Sequence, residues 1–417
     1  MIEPPPLRND CFALPAGVEW TPVDQALDLL RARLSAVTGT ETVALEAALG
    51  RVLAEDAVAL RSNPPLPNSA VDGYGFAGGA EEGAHALPLQ AGRAAAGLAF
   101  AGRLVPGHAL RILTGAALPE GVETVILEED VTLGEGQIAF RGPLKPGANT
   151  RKAGEDIRAG DVALRAGRVL TPADLALAAA VGLSMLPVRA RLRVAVLSTG
   201  DELVEPGAPA APGQIFDANR PMLLAIARRM GFEAIDMGRV PDDRAALRAR
   251  LDAAAERADA ILTSGGASAG DEDHVSALLN EAGAMQEWRI AIKPGRPLAL
   301  GLWRGRPVFG LPGNPVAAMV CTLVFARPAL GLLAGMDWQA PQGFDLPAGF
   351  EKRKKPGRRE YLRARVRDGV AEVFASEGSG RISGLSWAEG LVELEDGARE
   401  IRRGDPVRFI PYASFGL

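Results

Sequence analysis

The strongest constraint in this chain is a regular alternation of strand-like and helix-like segments between residues 190 and 335. The apolar run 192-LRVAVLS-198 leads through Gly200 to a helical pattern at 219-NRPMLLAIARRM-230, closed by Gly231. Then come 233-EAIDMGRV-240, 245-AALRARLDAAAERA-258, the apolar run 258-ADAILT-263 and the helical 275-VSALLNEAG-283. Strands alternating with helices predict a parallel, doubly wound α/β sheet covered by helices, and such sheets bind ligands at the carboxyl ends of their strands.

At 417 residues the chain exceeds one ordinary core, so the fold class expected is multidomain α/β. Residues 1–60 together with 144–188 read as a helical N-terminal unit, because 24-DQALDLLRARL-34 and 171-TPADLALAAAVGL-183 have helical spacing and start signals. Between them, 61–143 reads as an inserted β domain, with short apolar runs such as 110-LRILTG-115 cut by Gly and Pro. The central α/β domain covers 189–336. After the proline-rich joint 338-WQAPQGFDLP-347, residues 340–417 read as a separate C-terminal β domain.

A net charge of −5 and a pI near 5.5 argue against general nucleic-acid binding. Cys11 and Cys321 form neither a disulfide framework nor a zinc cluster, which fits a reducing cytoplasm. The start MIEPPPLRND does not read as a signal peptide. In 307-PVFGLPGNPVAAMVCTLVFA-326, Pro312, Gly313 and Pro315 interrupt the apolar run, so it reads as a buried strand, a turn and a buried helix rather than a membrane span.

The stretch 264-SGGASAGDEDH-274 sets Asp271, Glu272 and Asp273 directly behind a glycine-rich turn. Ser264, Gly265, Gly266 and Ser268 offer polar groups to an anion, which the carboxylates would repel unless a divalent cation lay between. Asp201, Glu202, Asp242, Asp243 and Asp273 all follow strands and can converge on such a cation, although each can equally serve as a helix cap or first-turn acid. Lys293 and Arg296 in 292-IKPGRPLAL-300, and the helix start at Gly313 and Asn314, fit an oxyanion, against the alternative of a solvated surface turn. Asp72 in 68-NSAVDGYG-75 reads alone as an Asx-turn, with Gly73 and Gly75 supplying tight-loop conformations. The basic run 352-KRKKPGRRE-360 reads as a solvated loop.

Eight segments occur together in order: NSAVDGYG, RILTGAALPEGVETVILEE, AGEDI, STGDEL, DANRPML, TSGGASAGDEDH, AIKPGRP and GLPGNPVAA. In this combination the chain resembles the molybdopterin molybdenumtransferase family, the metal-insertion enzymes of molybdenum cofactor synthesis, whose animal counterpart is the E domain of gephyrin. The resemblance implies a cytoplasmic homodimer whose central domain is of the molybdenum-cofactor-biosynthesis type. It implies that adenylylated molybdopterin and molybdate are substrates, that Mg²⁺ assists cleavage of the adenylyl-phosphate bond, and that AMP is released. Carried over by motif, Asp72, Thr114, Asp156, Glu202, Asp242 and Asp273 are catalytic candidates, the last three also for Mg²⁺. Ser264, Gly265, Gly266, Ser268, Lys293, Arg296, Pro297, Gly313, Asn314, Arg358 (or its neighbour Arg359) and Ser379 are substrate-binding candidates. Arg289 and Arg296 stand where Lys is usual in the family, and Ala317 where Ser is frequent.

The further partners implied are the molybdopterin adenylyltransferase and recipient molybdoenzymes or their chaperones, with neither nucleic acid nor membrane. Two other readings compete. A molybdopterin adenylyltransferase resembles residues 190–335 alone, leaving NSAVDGYG and LTGAALPEG without counterparts. A noncatalytic gephyrin-like scaffold would tolerate loss of the acids that are all present here.

Overall fold

A computed structural model describes residues 20–265, 274–282, 285–295, 297–378 and 380–417. Backbone contacts divide the chain into two units, one of residues 42–188 and one joining the N-terminal segment to 189–417.

The larger unit is organised around the alternation read from the sequence. In chain order its elements are β1 (Arg193–Thr199), α1 (Asn219–Arg229), β2 (Glu233–Val240), α2 (Arg244–Arg257), β3 (Ala260–Ser264), α3 (His274–Glu281), β4 (Met285–Arg289), β5 (Pro297–Trp303), β6 (Arg306–Leu311) and α4 (Pro315–Cys321). The sheet order is β2-β1-β3-β6-β5-β4. β2, β1, β3 and β6 are parallel, as expected, but β5 and β4 continue the sheet antiparallel. The turn between β5 and β6 explains the difference. Arg304 and Gly305, at φ +49° and +78°, make a two-residue reversal whose twist suits a hairpin and which is far too short for a parallel crossover.

α1 buries Leu223, Leu224, Ile226 and Ala227 against this sheet, each larger side chain being worth about 2 kcal/mol of burial. The helix that begins at Pro315 runs on to Leu333, longer than the apolar run read from the sequence. A widened turn at Thr322–Ala326, with the Arg327 N–H donating to Thr322 O, lets it pass Pro328, whose ring would otherwise press on the preceding turn. By length and composition this helix could cross a membrane, but 94% of its apolar window is buried inside the fold. It is a core helix.

A second sheet lies in the same unit. Its strands run Ile292–Lys293, Arg359–Arg367, Gly390–Leu394, Pro406–Pro411 and Phe344–Pro347, with Val370–Val373 paired to the second. The short strand Ile292–Lys293 comes from the central segment, pairing with Arg359 and Glu360, so the two sheets are linked through the IKPGRP motif. The core is continuous too, since Tyr361, Leu391 and Ile410 pack in one cluster with Val194, Leu262 and Phe309.

Residues 1–60 were expected to belong with 144–188 as a helical unit. Instead, helix Val23–Arg33 packs Val23, Ala26 and Leu30 into the core of the larger unit, and Asp24 takes both ends of the Arg359 guanidinium at 2.7 and 2.8 Å. Residues 42–60 pack with 160–188 around Leu53, Leu164, Leu170 and Val188, with little helix beyond Pro172–Ala180. The remainder of this smaller unit holds a six-stranded sheet and a short pair of Asn68–Ser69 with Thr150–Arg151. The strands of the sheet are ordered Thr124–Leu127, Gly73–Phe76, Ala109–Ile112, Ala80–Ala94, Gln137–Leu144 and Thr132–Gly134.

The glycines of NSAVDGYG serve this sheet differently from the expectation. Gly73 and Gly75 lie in an interior strand, where a Cβ on Gly73 would collide with the backbone of Ile126 and one on Gly75 would come 2.6 Å from Val122 Cγ1. They are needed for close approach, not for tight-loop conformations. Gly73→Ala is therefore expected to lower the opening free energy of the Gly73–Phe76 amides by about 3 kcal/mol. Native-state hydrogen exchange reads this directly, and unchanged protection would show that the strand can shift to admit a methyl group.

Candidate active site

Four loops leave the central sheet at one end. The parallel register sets Val240 beside Thr199, Ser198 beside Ser264, and Ser264 beside Leu311. The segments beginning at Gly200, Pro241, Gly265 and Pro312 therefore start from a common row, which is the convergence of strand ends read from the sequence.

What ties this row together is a residue to which sequence reasoning gave no role. Asn219, buried at the start of α1, donates from Nδ2 to Ser264 Oγ and to Gly313 O, both at 2.7 Å. A carbonyl can only accept, so Gly313 fixes which way the amide points. The start of α1 is itself anchored, because the neighbouring Arg220 donates to Asp217 at 3.0 Å and also to Asp236 and Glu205. Asp217 and Arg220 are both buried. The DANRPML motif is thus a structural bracket for the loops at its flank.

Gly265 bends the chain immediately after β3 at φ +91°, where a Cβ would come 2.6 Å from Thr199 O. Its N–H donates to Leu311 O at 3.3 Å. Gly313 faces it, with open room save for Gly265 Cα. Asn314 caps α4, accepting from Val316 N–H at 3.2 Å. Around this crossing, Ser198 Oγ, Thr199 Oγ1 and Asn219 Oδ1 are buried without partners among the described residues. Such groups gain most from a polar ligand that reaches them.

The acids divide between structural and available roles. Asp243 is a helix cap, accepting from Ala246 N–H at 2.7 Å. Asp201 and Asp242 hold their two loops together reciprocally: Asp242 Oδ2 accepts the Asp201 N–H at 3.1 Å and Asp201 Oδ1 accepts the Asp242 N–H at 3.2 Å. One oxygen of each is used in this exchange. Glu202 is exposed and its carboxylate lies against Gly200, whose φ of +147° and lack of a side chain make room for it. Mg²⁺ needs only one or two carboxylates beside water and phosphate oxygens, and these three hard donors on adjoining loops fit that requirement. Among the described residues no three acidic, His or Cys groups gather closely enough to hold an ion by themselves.

Asp273, Gly266, Ser268, Arg296 and Ser379 lie outside the described residues. Pro297 opens β5 and Arg289 closes β4. Ala317 is buried beneath the Gly295 turn, 3.8 Å from where a Gly295 Cβ would lie. Lys293 is not a solvated surface residue. Its ammonium donates to Glu377 Oε2 at 2.7 Å and to Glu360 Oε2 at 3.4 Å. The basic run 352–360 is solvated as expected at Arg353, Lys355 and Gly357 but not at Lys352 and Lys354. Lys352 pairs with Glu360 at 3.1 Å and with Glu377, while buried Lys354 donates to the Gly397 and Lys355 carbonyls at 2.9 and 3.0 Å. Arg359 is committed to Asp24, and its neighbour Arg358 is half-buried.

In the smaller unit, Asp72 and Thr114 meet. Asp72 Oδ1 accepts from both the hydroxyl and the N–H of Thr114 at 2.6 Å, and those two bonds hold its carboxyl below the usual carboxylate range. It is more than an Asx-turn. The same segment places Asn68 opposite Arg151, on a cleft of about 520 Å³ that Asp156 and Asn63 also line, with Asn63 donating to Asp156 at 3.1 Å.

Known proteins share this organisation along nearly the whole chain. Residues 21–182 match the MoeA N-terminal region (domains I and II), 195–331 a probable molybdopterin-binding domain, and 345–412 the MoeA C-terminal region (domain IV). A molybdopterin molybdenumtransferase of Haemophilus influenzae is 37% identical, covering 94% of this chain and 98% of the relative. Molybdopterin molybdenumtransferase 2 of Mycobacterium tuberculosis is 37% identical, covering 87% and 93%. The solved molybdopterin biosynthesis MoeA protein of Pyrococcus horikoshii is 30% identical and superposes with a TM-score of 0.82 over 94% of this chain and all of its own. With the same domains matched in the same order at this identity, the chain belongs to the molybdopterin molybdenumtransferase family.

Proposed function

We propose that the protein inserts molybdenum into molybdopterin, taking adenylylated molybdopterin and molybdate and releasing AMP. The observation that carries this reading is the Asn219 bracket. It holds a glycine bend and a helix start face to face at the strand ends, beside the paired acids Asp201 and Asp242. A phosphate approaching the bend finds the polar groups of Ser264, Gly265, Gly313 and Asn314 on one side and carboxylates on the other.

Bound by Glu202, Asp242 and Asp273, Mg²⁺ would supply the positive charge that lets phosphate and carboxylates share the cleft and that eases departure of AMP. The chain's own residues do the rest. Ser264 and the glycine turn, with Gly266 and Ser268 beyond it, orient the phosphates, and Asn314 presents the start of α4 to them. Lys293 takes up molybdate, and by their motif positions Arg296, Pro297, Arg358 and Ser379 serve the same step. Asp72, Thr114 and Asp156 belong to the same reaction, and the protein acts as a homodimer in which they serve the cleft of the other subunit.

Incubation with adenylylated molybdopterin, Mg²⁺ and molybdate, following AMP, tests the function. Asp242→Asn, which keeps the bracing contact to Asp201, and Glu202→Gln are each expected to lower turnover about a hundredfold or more with little change in thermal unfolding. Lys293→Ala is expected to raise the half-saturating molybdate concentration more than that of the pterin. Near-normal turnover in both acid variants at saturating Mg²⁺ would remove the acids from the reaction.

Mixed subunits test the sharing. Asp72→Ala and Asp273→Ala proteins should each be inactive alone, whereas their heterodimer recovers about one working site of two. Heterodimers that form but stay inactive would confine Asp72 to its own chain.

A further inference from the structure

Four charged side chains meet where the IKPGRP strand joins the C-terminal sheet. Lys293 and Lys352 each face both Glu360 and Glu377. The two carboxylates differ in how firmly they are held. Glu360, its side chain 8% exposed, lies inside strand Arg359–Arg367, directly opposite Lys293 in the ladder. It neutralises one buried ammonium permanently. Glu377, its side chain 47% exposed, stands on the segment between strand Val370–Val373 and helix Ser383–Trp387 and neutralises the other.

Lys293, Lys352 and Glu377 also line a cavity of about 190 Å³, room for several waters and so for a tetrahedral oxyanion. Burial disfavours ionisation of Glu377, but the hydrogen bonds from Lys293 and Lys352 outweigh it, so its carboxyl sits below the usual carboxylate range. The segment carrying it is fixed on both sides, because Arg363 donates to the carbonyls of Ser376, Gly378 and Arg381. Freeing the lysines from Glu377, with Glu360 still in place, therefore requires only that the Glu377 side chain turn outward into solvent.

On the reading that this chain takes molybdate as substrate, we propose that Glu377 occupies the oxyanion position of the ligand-free protein, gating it as an internal competitor, and that Lys352 is the second cation of that position beside Lys293. With Glu360 still neutralising one ammonium, the position carries one net positive charge once Glu377 leaves, and a dianion is attracted to it more strongly than the single carboxylate charge it displaces, whereas a monoanion gains little. Glu377 thereby sets a threshold that favours doubly charged tetrahedral oxyanions.

Equilibrium dialysis of the full-length protein against molybdate alone, without pterin, tests this. Glu377→Gln should bind molybdate about tenfold more tightly than wild type, and Lys352→Met about tenfold more weakly. Thermal melts of both variants report the fold. If Glu377→Gln bound no more tightly than wild type, or if both substitutions weakened binding, Glu377 would be a structural partner and the proposal would fall. AMP release by the wild type, assayed in parallel, judges the enzymatic reading separately. Turnover with an unmoved dialysis constant sinks the gate alone, and a tightened constant without turnover sinks the enzymatic reading while the oxyanion gate stands.

Discussion

The geometry at the strand ends depends on one buried amide. Asn219 satisfies a hydroxyl at the end of β3 and a carbonyl in the loop after β6 from a single NH₂ group. Either bond alone contributes about 1 kcal/mol, but removing the donor strands two buried acceptors, and that loss is larger than the bonds it replaces. The bracket also works only because α1 begins where it does. Asp217 and Arg220 fix that start through a buried ion pair that reaches β2 through Asp236, so the position of one side chain is set by a network anchored on a neighbouring strand. The steric demand of Gly265 against Thr199 O then leaves the chain one way to turn.

A second constraint is the short strand Ile292–Lys293. By pairing with Arg359 and Glu360 it carries a basic residue of the central segment into the C-terminal sheet. The segment is gripped from the N-terminal side as well, since Ala291 N–H donates to Thr21 O at 2.8 Å and Arg359 N–H to Ala291 O at 2.8 Å. Lys293 thus meets Lys352, Glu360 and Glu377, residues that lie 59 to 84 positions away in sequence. The bidentate Asp24–Arg359 pair closes this joint, and it accounts for an arginine whose motif position suggested ligand binding.

How much of this was legible beforehand follows the range of the forces involved. The apolar alternation of β1, β2 and β3 and their helices was readable within a residue or two, because periodicity is a local signal. The antiparallel edge was not, since its turn is Arg304-Gly305 rather than a pair that announces a hairpin. Asp243 bears out the helix-cap alternative, whereas the exchange between Asp201 and Asp242 needed the register of β1 and β2. Lys352 and Lys354 looked solvated because a run of like charges ordinarily is. Their partners, Glu377 and the carbonyls near residue 397, are supplied by distant chain. Asn219 stood in a recognised motif, but no local rule says that an asparagine at a helix start will reach sideways to two other loops.

Calorimetric titration of AMP into wild type and Asn219→Ala is the most direct test of the proposed phosphate-binding role of the Asn219 bracket. Wild type should bind AMP in the presence of Mg²⁺, and Asn219→Ala should bind at least about tenfold more weakly while keeping its cooperative thermal transition. Equal affinity in the two folded proteins would contradict the claim.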